Sequence, residues 1–547
     1  MAKKIRKTKR KTKKSEFNTL NEKKAKNEGK VRTKSTTKSL TFFDFGGQCA
    51  YYACHQIYLT RRAFYIVVLD ASKPFDQVVE KEVCDQADSV FADWTYIGYF
   101  LFWLKSIHTY CWHNTKDKGA EVIIVATHWD KSIHKRKDDF LEALHKALPA
   151  DCHLGQYIRR DRFFCTRFPL EPLTDLERVL AETAADKTWE ENIPHEWMFL
   201  NDEILSTKAD QRILSLNHVL QKMPADKYSI QEKANDMLRY YHDTGKILYF
   251  NEAGLEEFVV IDVQWFIDAF KTIITDKMHV SGIDASGNDW QEYYSTGYLK
   301  EFLLLAIWRR KDEDLLKSLK EENISKECEL VEDAHFFTYH KRTLLMYMQR
   351  LGLISIGEVS HYIPCINKKS FGKEQKGIIQ TSSSRSSIFV FLFEFLPYFL
   401  FYRLVVKLIG IKDWRVLKSS NISCLYKNAA LFTYQNHNVA VAVTQTTIQL
   451  QIFHPEPGFE MLKDVTLSVR QHIEKIMEDI TRTFHQRLRY RMGYTCYKEK
   501  EQILGIEITH SFIDEKELPI GKEVTCPQHQ VEKRHHINPD YLSAYWR

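Results

Sequence analysis

Hydrophobic and polar residues form blocks of two kinds between residues 63 and 185. Three blocks are continuous apolar runs of strand length, as expected for parallel strands buried on both faces: residues 63–70, 121–126 and 162–165. Three other blocks place apolar residues at helical spacing: residues 93–110, 138–148 and 173–185. Because strands and helices alternate, the sequence predicts an α/β fold with a parallel sheet and right-handed crossovers.

Two polar motifs follow predicted strands and therefore fall at one edge of this sheet. Asp44 closes a predicted strand that ends at Phe43, and residues 127–130 follow the predicted strand that ends at Ala126. In open parallel sheets, ligands bind outside the carboxyl ends of the strands. The sequence thus predicts a ligand site at that edge.

The first motif has residue types suited to a metal ion and a phosphate. Asp44 can hold Mg²⁺ through water, and the amide of Gly47 can approach a γ-phosphate because glycine has no Cβ. Gln48 can orient an attacking water, as its counterpart does in GTPases. The pattern DxxGQ has little specificity by itself.

The second motif has residue types suited to a guanine base. Asp130 can accept two hydrogen bonds from the guanine N1–H and exocyclic amine, while Thr127 supports the loop and Lys131 flanks it. The competing interpretation of Asp130 is a helix N-cap ahead of the lysine-rich residues 135–137. On this motif alone both interpretations stay open.

Taken together, these motifs resemble the Roc GTPase domain of Roco proteins. The resemblance rests on four segments in the family's order and spacing: residues 44–48 (DFGGQ), 51–62, 106–110 and 127–130 (THWD). It implies a P-loop-GTPase-like sheet that takes GTP or GDP and Mg²⁺. It further implies that Gln48 is catalytic and that Asp44 holds the metal. The nucleotide-binding residues that it implies are Asp44, Gly47, Thr127, His128, Asp130 and Lys131.

Later segments are similar to the COR domain that follows Roc in this family. They are residues 193–197, 237–250, 260–266, 297–299, 344–354, 361–364 and 395–400. We interpret their apolar stripes as core, and they contain no catalytic constellation. In Roco proteins COR packs on Roc and commonly mediates dimerisation, so the resemblance implies a homodimer formed through COR and interactions with other proteins.

One part of the family pattern does not occur. Gly29 is the only glycine in residues 1–40, so no phosphate-binding GxxxxGK[ST] loop can be drawn ahead of Asp44. We therefore expect a Roc sheet truncated at its N-terminus, whose folding is in question, and no GTP hydrolysis by this chain. The expected function is a signalling or scaffold protein with a degenerate GTP-binding domain.

Two alternatives remain. The first is an active guanine-nucleotide switch whose phosphate loop lies in a longer form of the protein. The second is a nucleic-acid-associated protein that uses the basic N-terminal arm, because the first fourteen residues supply more positive charge than the net +6 of the chain. Nucleic acid is the less favoured partner, since such arms are usually solvated.

These observations predict five segments. Residues 1–40 are a disordered basic arm, 41–185 the truncated Roc-like domain, 190–330 and 335–505 the two parts of the COR domain, and 506–547 a C-terminal extension.

The apolar residues 388–409 are the one segment that suggests a membrane. Glu394, Pro397, Arg403 and Lys407 interrupt them, so two buried strands or a strand, turn and helix in a domain core are favoured over a spanning helix. The 11 cysteines include no CxxC pair, which fits a reducing compartment. We therefore expect a cytoplasmic protein without a membrane span.

The C-terminal extension contains side chains that zinc prefers. They are Cys496, Cys526, His529, His535 and His536. Their long and irregular spacing leaves two interpretations, a zinc site or an exposed polar tail with one buried cysteine.

Overall fold

The computed structural model describes most of the chain after residue 40. The described residues are 41–46, 51–60, 62–80, 93–111, 120–149, 153–167, 173–186, 192–207, 210–222, 230–274, 286–321, 335–382, 384–456, 458–483, 488–496, 504–505, 512–518, 524–526 and 535–547. The chain divides into two units, Met1–Phe43 and Asp44–Arg547. In the first unit, residues 41–43 are described and lie outside helices and strands, whereas the predicted disordered arm 1–40 lies outside the described residues.

The second unit begins with a three-stranded parallel sheet in the order β1–β2–β3. Its strands are β1 (Tyr65–Asp70), β2 (Val122–Thr127) and β3 (Phe163–Cys165). Its helices are α1 (Tyr52–His55), α2 (Tyr96–Tyr110), α3 (Lys137–Lys146) and α4 (Thr174–Ala185). The register places Asp70 opposite Thr127, so the carboxyl ends of β1 and β2 are level.

Strand β2 is apolar throughout because helices cover both faces of the sheet. Ile124 packs in one hydrophobic cluster with Leu104 of α2 and Leu144 of α3. Its neighbour Ile123 faces the opposite way and packs with Val179 of α4. Successive side chains of a strand point to opposite faces, so a central strand covered on both sides needs apolar residues at every position.

The predicted α/β alternation is confirmed, and one predicted strand is wrong. All six blocks from residue 63 to residue 185 form the expected strand or helix, with ends shifted by up to three residues. Residues 41–46 form no strand, although the sequence predicts one ending at Phe43. A strand needs a neighbour for its backbone hydrogen bonds, and among the described residues β1 pairs with β2 alone.

The described residues between 198 and 381 are mainly helical. The helices are α5 (Met198–Thr207), α6 (Leu216–Lys222), α7 (Ile230–Asp243), α8 (Val263–Ile274), α9 (Gly287–Thr296), α10 (Glu301–Glu321), α11 (Lys341–Arg350) and α12 (Lys373–Thr381). Two short antiparallel pairs join them, β4 (Ile213–Ser215) with β5 (Phe258–Val260) and β6 (Tyr298–Lys300) with β7 (Ser360–Tyr362). Gly297 ends α9 at φ +77°, and a Cβ there would lie 2.7 Å from the Ile363 carbonyl oxygen, so the turn into β6 requires glycine.

The C-terminal part is built on an antiparallel sheet in the order β10–β13–β14–β15–β9–β16–β17, with β8 also pairing with β15. These strands are β8 (Ser384–Arg385), β9 (Phe389–Phe393), β10 (Trp414–Val416), β13 (Ala429–Tyr434), β14 (His437–Val443), β15 (Thr447–His454), β16 (Tyr490–Thr495) and β17 (Phe512–Asp514). Two further hairpins are β11 (Lys418–Ser419) with β12 (Ile422–Ser423), and β18 (Val524–Thr525) with β19 (His536–Ile537). The helices are α13 (Phe399–Ile409), α14 (Lys463–Thr483) and α15 (Pro539–Ser543).

The apolar segment 388–409 lies in the core of this C-terminal part. It forms β9, a turn and α13, which is the strand, turn and helix expected from its interrupting polar residues. Phe389 and Leu400 are fully buried within it. Within the described parts of the chain, no helix is long and apolar enough to cross a membrane.

The last residues of the chain are packed against the same sheet. Trp546 is fully buried, its ring stacks on Phe389 at 5.2 Å between centroids, and its indole N–H donates to the Ser387 carbonyl oxygen at 3.0 Å. Glu515 accepts hydrogen bonds from both Arg470 and Arg547, and these bonds hold its pKa below its usual range. The C-terminus is thus part of the folded core.

We expect Trp546→Ala to lower the free energy of unfolding by about 3–5 kcal/mol, because it removes a large buried ring. Tyr541→Ala is the matched control, since Tyr541 lies in the same terminal segment and is 61% exposed; its effect should stay within about 0.5 kcal/mol. Denaturant unfolding followed by circular dichroism measures both. Equal stability of the two variants would contradict the packing of the C-terminus.

Candidate functional site

The carboxyl ends of β1 and β2 are joined by a side chain of the second motif. The Thr127 hydroxyl donates to the Leu69 carbonyl oxygen at 3.0 Å. The Ala71 amide donates to the Thr127 carbonyl oxygen at 2.9 Å, which extends the ladder by one bond. Thr127 therefore supports the loop that follows β2. Its role in nucleotide binding stays a prediction.

The backbone of the motif turns sharply at His128. This residue has φ 52° and ψ 35°, in the left-handed region, and the next three residues, Trp129–Lys131, form a 3-10 turn. The Trp129 amide donates to the Thr166 carbonyl oxygen at 3.0 Å, which ties the turn to the end of β3. All three strands of the sheet therefore contribute to holding the loop.

The turn presents Asp130 and Lys131 to solvent at the carboxyl edge of the sheet. Asp130 does not cap the following helix, because α3 begins at Lys137 with Arg136 at its N-cap position. The helix N-cap interpretation of Asp130 is therefore wrong. An exposed carboxylate in a turn fixed by three strands has the freedom to meet a ligand.

Asp70 lies at the same edge and was not identified from the sequence. Its Oδ1 accepts hydrogen bonds from the Ser72 amide at 2.9 Å and the Ser72 hydroxyl at 2.6 Å, and it lies 3.3 Å from Nδ1 of His128. The two atoms lie at ion-pair distance, and no hydrogen bond joins them. The sequence signal for Asp70 was an acidic residue at the end of an apolar strand, the position at which parallel sheets bind ligands.

The first motif is only partly within the described residues. Asp44 is exposed, and the ring of the adjacent Phe45 packs edge-on against His55 at 4.9 Å and against Trp103 at 5.9 Å. Gly47 and Gln48 lie outside the described residues. The structure thus brings Thr127, His128, Asp130 and Lys131 together, while the metal and catalytic roles of Asp44 and Gln48 stay predictions.

Helix α1, which follows the first motif, is buried along its whole length. Tyr52 stacks on Phe102 of α2 at 5.2 Å and meets Phe399 of α13 edge-on at 6.3 Å. Burial and the nearby Lys271 lower the pKa of His55 to about 3, so this imidazole is neutral at physiological pH. The helix therefore packs between α2, which covers the first sheet, and α13 of the C-terminal part.

Further polar contacts link the residues flanking α1 to the helical region. The Tyr58 hydroxyl donates to the Gln264 side-chain oxygen at 2.6 Å, and the Lys271 ammonium lies 5.8 Å from the centre of the Tyr51 ring. Arg62 donates a hydrogen bond to the Tyr240 hydroxyl. The segment after the first motif is consequently held by α7 and α8 as well as by α13.

Helix α2 contacts the same region through its last turn. Tyr110 is buried beside Arg403 of α13, and burial lowers the pKa of the Arg403 guanidinium to about 10 while the Tyr110 hydroxyl partly offsets this. Arg403 also donates from Nε to the Leu351 carbonyl oxygen at 3.2 Å. The guanidinium remains charged at neutral pH, so a buried cation lies at the boundary between the two regions.

Two family models match the chain at the regions just described. The Roc model, "Ras of Complex, Roc, domain of DAPkinase", matches residues 1–92, and the COR-A model, "C-terminal of Roc, COR-A domain", matches residues 194–326. The Roc match includes the first motif and β1. The COR-A match includes α5 to α10.

Curated relatives share the same region. The chain is 25% identical over 296 residues to the probable serine/threonine-protein kinase pats1 of Dictyostelium discoideum, covering 51% of this chain and 8% of that protein. It is 22% identical over 286 residues to the probable serine/threonine-protein kinase roco6 of the same organism, covering 50% of this chain and 11% of that protein. The chain thus spans only about a tenth of the length of these relatives.

Among solved structures, the chain is similar to the Roco2 RocCORdC protein of Methanosarcina barkeri, which was determined bound to GDP. The identity is 15%, the match covers 59% of this chain and 78% of that one, and the TM-score is 0.34. A TM-score this low carries no weight for the fold.

A parallel α/β sheet with a Roc motif, followed by a COR-A region, defines a Roc–COR protein. These matches support the predicted assignment of the chain to the Roco family, and the predicted α/β Roc–COR arrangement is confirmed.

The left-handed backbone at His128 gives a direct test of the loop geometry. His128→Gly and His128→Val both remove the imidazole, so their difference isolates the backbone. We expect the valine variant to be less stable than the glycine variant by about 1–2 kcal/mol, because only glycine adopts this conformation without a Cβ clash. Denaturant unfolding of both variants measures this difference, and equal stabilities would show that the turn is not left-handed in solution.

Proposed function

We propose that this chain acts as a Roco-type signalling platform, in which the COR region carries protein interactions and the Roc-like sheet does not hydrolyse GTP. The observation that carries the proposal is the burial of α1 between the Roc-like sheet and the COR region. Seven residues lie between Asp44 and the start of α1 at Tyr52, and this helix is buried along its whole length. The expected location is the cytoplasm.

The contacts of α1 favour a fixed rather than a mobile segment. In GTPases, the segment after the DxxG motif becomes ordered through contacts to the γ-phosphate and is released on hydrolysis. Here aromatic contacts from Phe102 and Phe399 enclose Tyr52, and the neutral His55 adds no charge to the buried helix. These contacts do not need a nucleotide, so the segment has a stable position without one.

The guanine side of the site is better supported than the phosphate side. Asp130 is exposed in a turn held by three strands, which suits a base. For the phosphates, no GxxxxGK[ST] pattern occurs anywhere in the 547 residues. Two charge-assisted contacts contribute roughly 1.5–3 kcal/mol each, against an association cost of about 4 kcal/mol or more. The balance favours millimolar or weaker affinity.

The competing function is an active guanine-nucleotide switch whose phosphate loop lies in a longer form of the protein. The Thr127–Asp130 loop supports this alternative, because Asp130 is exposed in a turn anchored to the sheet. In that case the buried α1 would transmit the state of the nucleotide to the COR region. A nucleic-acid role for the basic arm rests on residues 1–40, which lie outside the described residues.

The COR region also offers a surface for self-association. Val359 is 77% exposed and Phe302 is 49% exposed, and the two lie close together because the Glu301 amide donates to the Val359 carbonyl oxygen at 3.1 Å. Scattered exposed apolar residues are ordinary, whereas adjacent ones at the end of a β-ladder mark a docking surface. We propose that a second copy of the chain covers this patch.

We expect the chain as given to bind GTP with Mg²⁺ no more tightly than about millimolar, for lack of phosphate ligands. Calorimetric titration of the full chain measures the affinity, with Asp130→Ala as the variant that removes the guanine carboxylate and Asp139→Ala, on the nearby α3, as the control. Micromolar binding that is lost only in Asp130→Ala would overturn the platform proposal and favour a working switch.

We expect the full chain to have the mass of a dimer in multi-angle light scattering. The protein concentration should be roughly tens of micromolar, at which weak dimers form. Val359→Asp places a charge in the proposed contact and should shift the mass to that of the monomer. Ile133→Asp is the matched control, because Ile133 is 71% exposed on the Roc-like sheet. A monomeric wild-type chain, or a dimer insensitive to Val359→Asp, would count against the patch.

A further inference from the structure

We propose that Cys496, Cys526 and His535 bind a zinc ion that fastens the C-terminal segment to the large sheet. Their ligand atoms all lie within 4.8 Å of one another, and Cys496 Sγ is 3.1 Å from His535 Nε2. Tetrahedral zinc, with bonds of about 2.3 Å to sulfur and 2.0–2.1 Å to nitrogen, separates sulfur from nitrogen by about 3.6 Å and two sulfurs by about 3.8 Å. Side-chain shifts of up to about an ångström therefore suffice.

Backbone pairing brings the three ligands together from distant parts of the chain. Cys496 directly follows β16, which lies between β9 and β17 in the large sheet. Cys526 follows β18 and His535 precedes β19, and the antiparallel register of this hairpin places them opposite each other. The Cys526 amide donates to the His535 carbonyl oxygen at 2.9 Å. The hairpin thus supplies two ligands and the sheet supplies the third.

The chemistry and the burial of these ligands both favour zinc. Cys496 and Cys526 are 1% and 0% exposed, and His535 is half-buried. Two thiolates and one imidazole form a donor set typical of zinc, whereas magnesium and calcium prefer oxygen. Zinc binding displaces the two thiol protons, and the cation compensates thiolates that would otherwise be costly to bury.

The rival interpretation needs no metal. A neutral Cys496 thiol can donate a hydrogen bond to His535 Nε2 across the same 3.1 Å, and Cys526 can be an ordinary buried residue. The two interpretations differ in whether the three side chains act as one unit. Only a bound metal requires Cys526 as much as it requires Cys496, because the hydrogen bond to His535 involves Cys496 alone.

The site would be structural rather than catalytic. It ties residue 496 of the sheet to the hairpin that leads into α15 and the buried Trp546, so metal and aromatic packing hold the same segment. Tetrahedral zinc takes a fourth ligand beyond these three, which water can supply. His529 lies outside the described residues, and the neighbouring His536 is exposed.

The test is the metal content of the full chain after incubation with Zn²⁺ and gel filtration. We expect elemental mass spectrometry to find about one zinc per chain. We expect Cys496→Ser, Cys526→Ser and His535→Gln each to lower zinc retention at least about tenfold, because each removes one ligand. Cobalt(II) in place of zinc should give the near-ultraviolet charge-transfer absorption of thiolate coordination in the wild type.

Matched controls separate loss of a ligand from loss of the fold. His536→Gln changes the neighbouring histidine and Cys424→Ser changes another buried cysteine of the C-terminal part, so both should retain zinc. If a cysteine variant fails to fold, the wild-type chain remains informative. Chelation should lower its melting temperature, and added Zn²⁺ should restore it.

Three results would overturn the proposal. The first is a wild-type chain that retains no zinc and has an unchanged melting temperature with chelator. The second is equal zinc retention in His535→Gln and His536→Gln. The third is an intact mass lower by two hydrogens that returns to the full value on reduction, since it would show a disulfide between Cys496 and Cys526.

Discussion

The arrangement of the Roc-like sheet against the C-terminal part depends on one buried contact, in which α1 and α2 pack against α13. The rings of Tyr52, Phe102, Phe395 and Phe399 form its apolar part. Such rings bury large areas and gain further from edge-to-face geometry. A three-stranded sheet has limited core of its own, so this contact supplies much of the apolar surface against which the first domain is ordered.

Arg403 makes the contact specific as well as apolar. Its guanidinium is 2% exposed, beside Tyr110 of α2, and it donates to the carbonyl of Leu351. Gly352 accommodates it, because this residue has φ +69° and a Cβ there would lie 2.5 Å from Arg403 Cγ. A buried cation is unfavourable unless polar groups surround it, and the Tyr110 hydroxyl and the Leu351 carbonyl are polar groups beside Arg403.

The sequence predicts the elements of the first sheet well because their signal is local. Continuous apolar runs indicate β1, β2 and β3, and each motif residue can be placed by the strand that it follows. It does not predict the Asp70 and His128 contact, since this contact depends on the register of two strands that are far apart in the chain. The same holds for Cys526 and His535, whose opposition is set by a hairpin with a long connection. The burial of α1 is hidden for another reason, because a four-residue helix has too few positions to show a periodic pattern.

The two halves of the nucleotide site differ in what holds them. The Thr127–Asp130 loop is fixed by hydrogen bonds from β1, β2 and β3, so its geometry needs neither a phosphate loop nor a ligand. A phosphate cradle, in contrast, requires consecutive amides from a glycine-rich loop, and the sheet cannot supply them. A loop of this kind can therefore be retained as part of the fold whether or not a nucleotide binds. Its presence indicates the family of the chain, whereas the affinity for GTP depends on residues other than those of the loop.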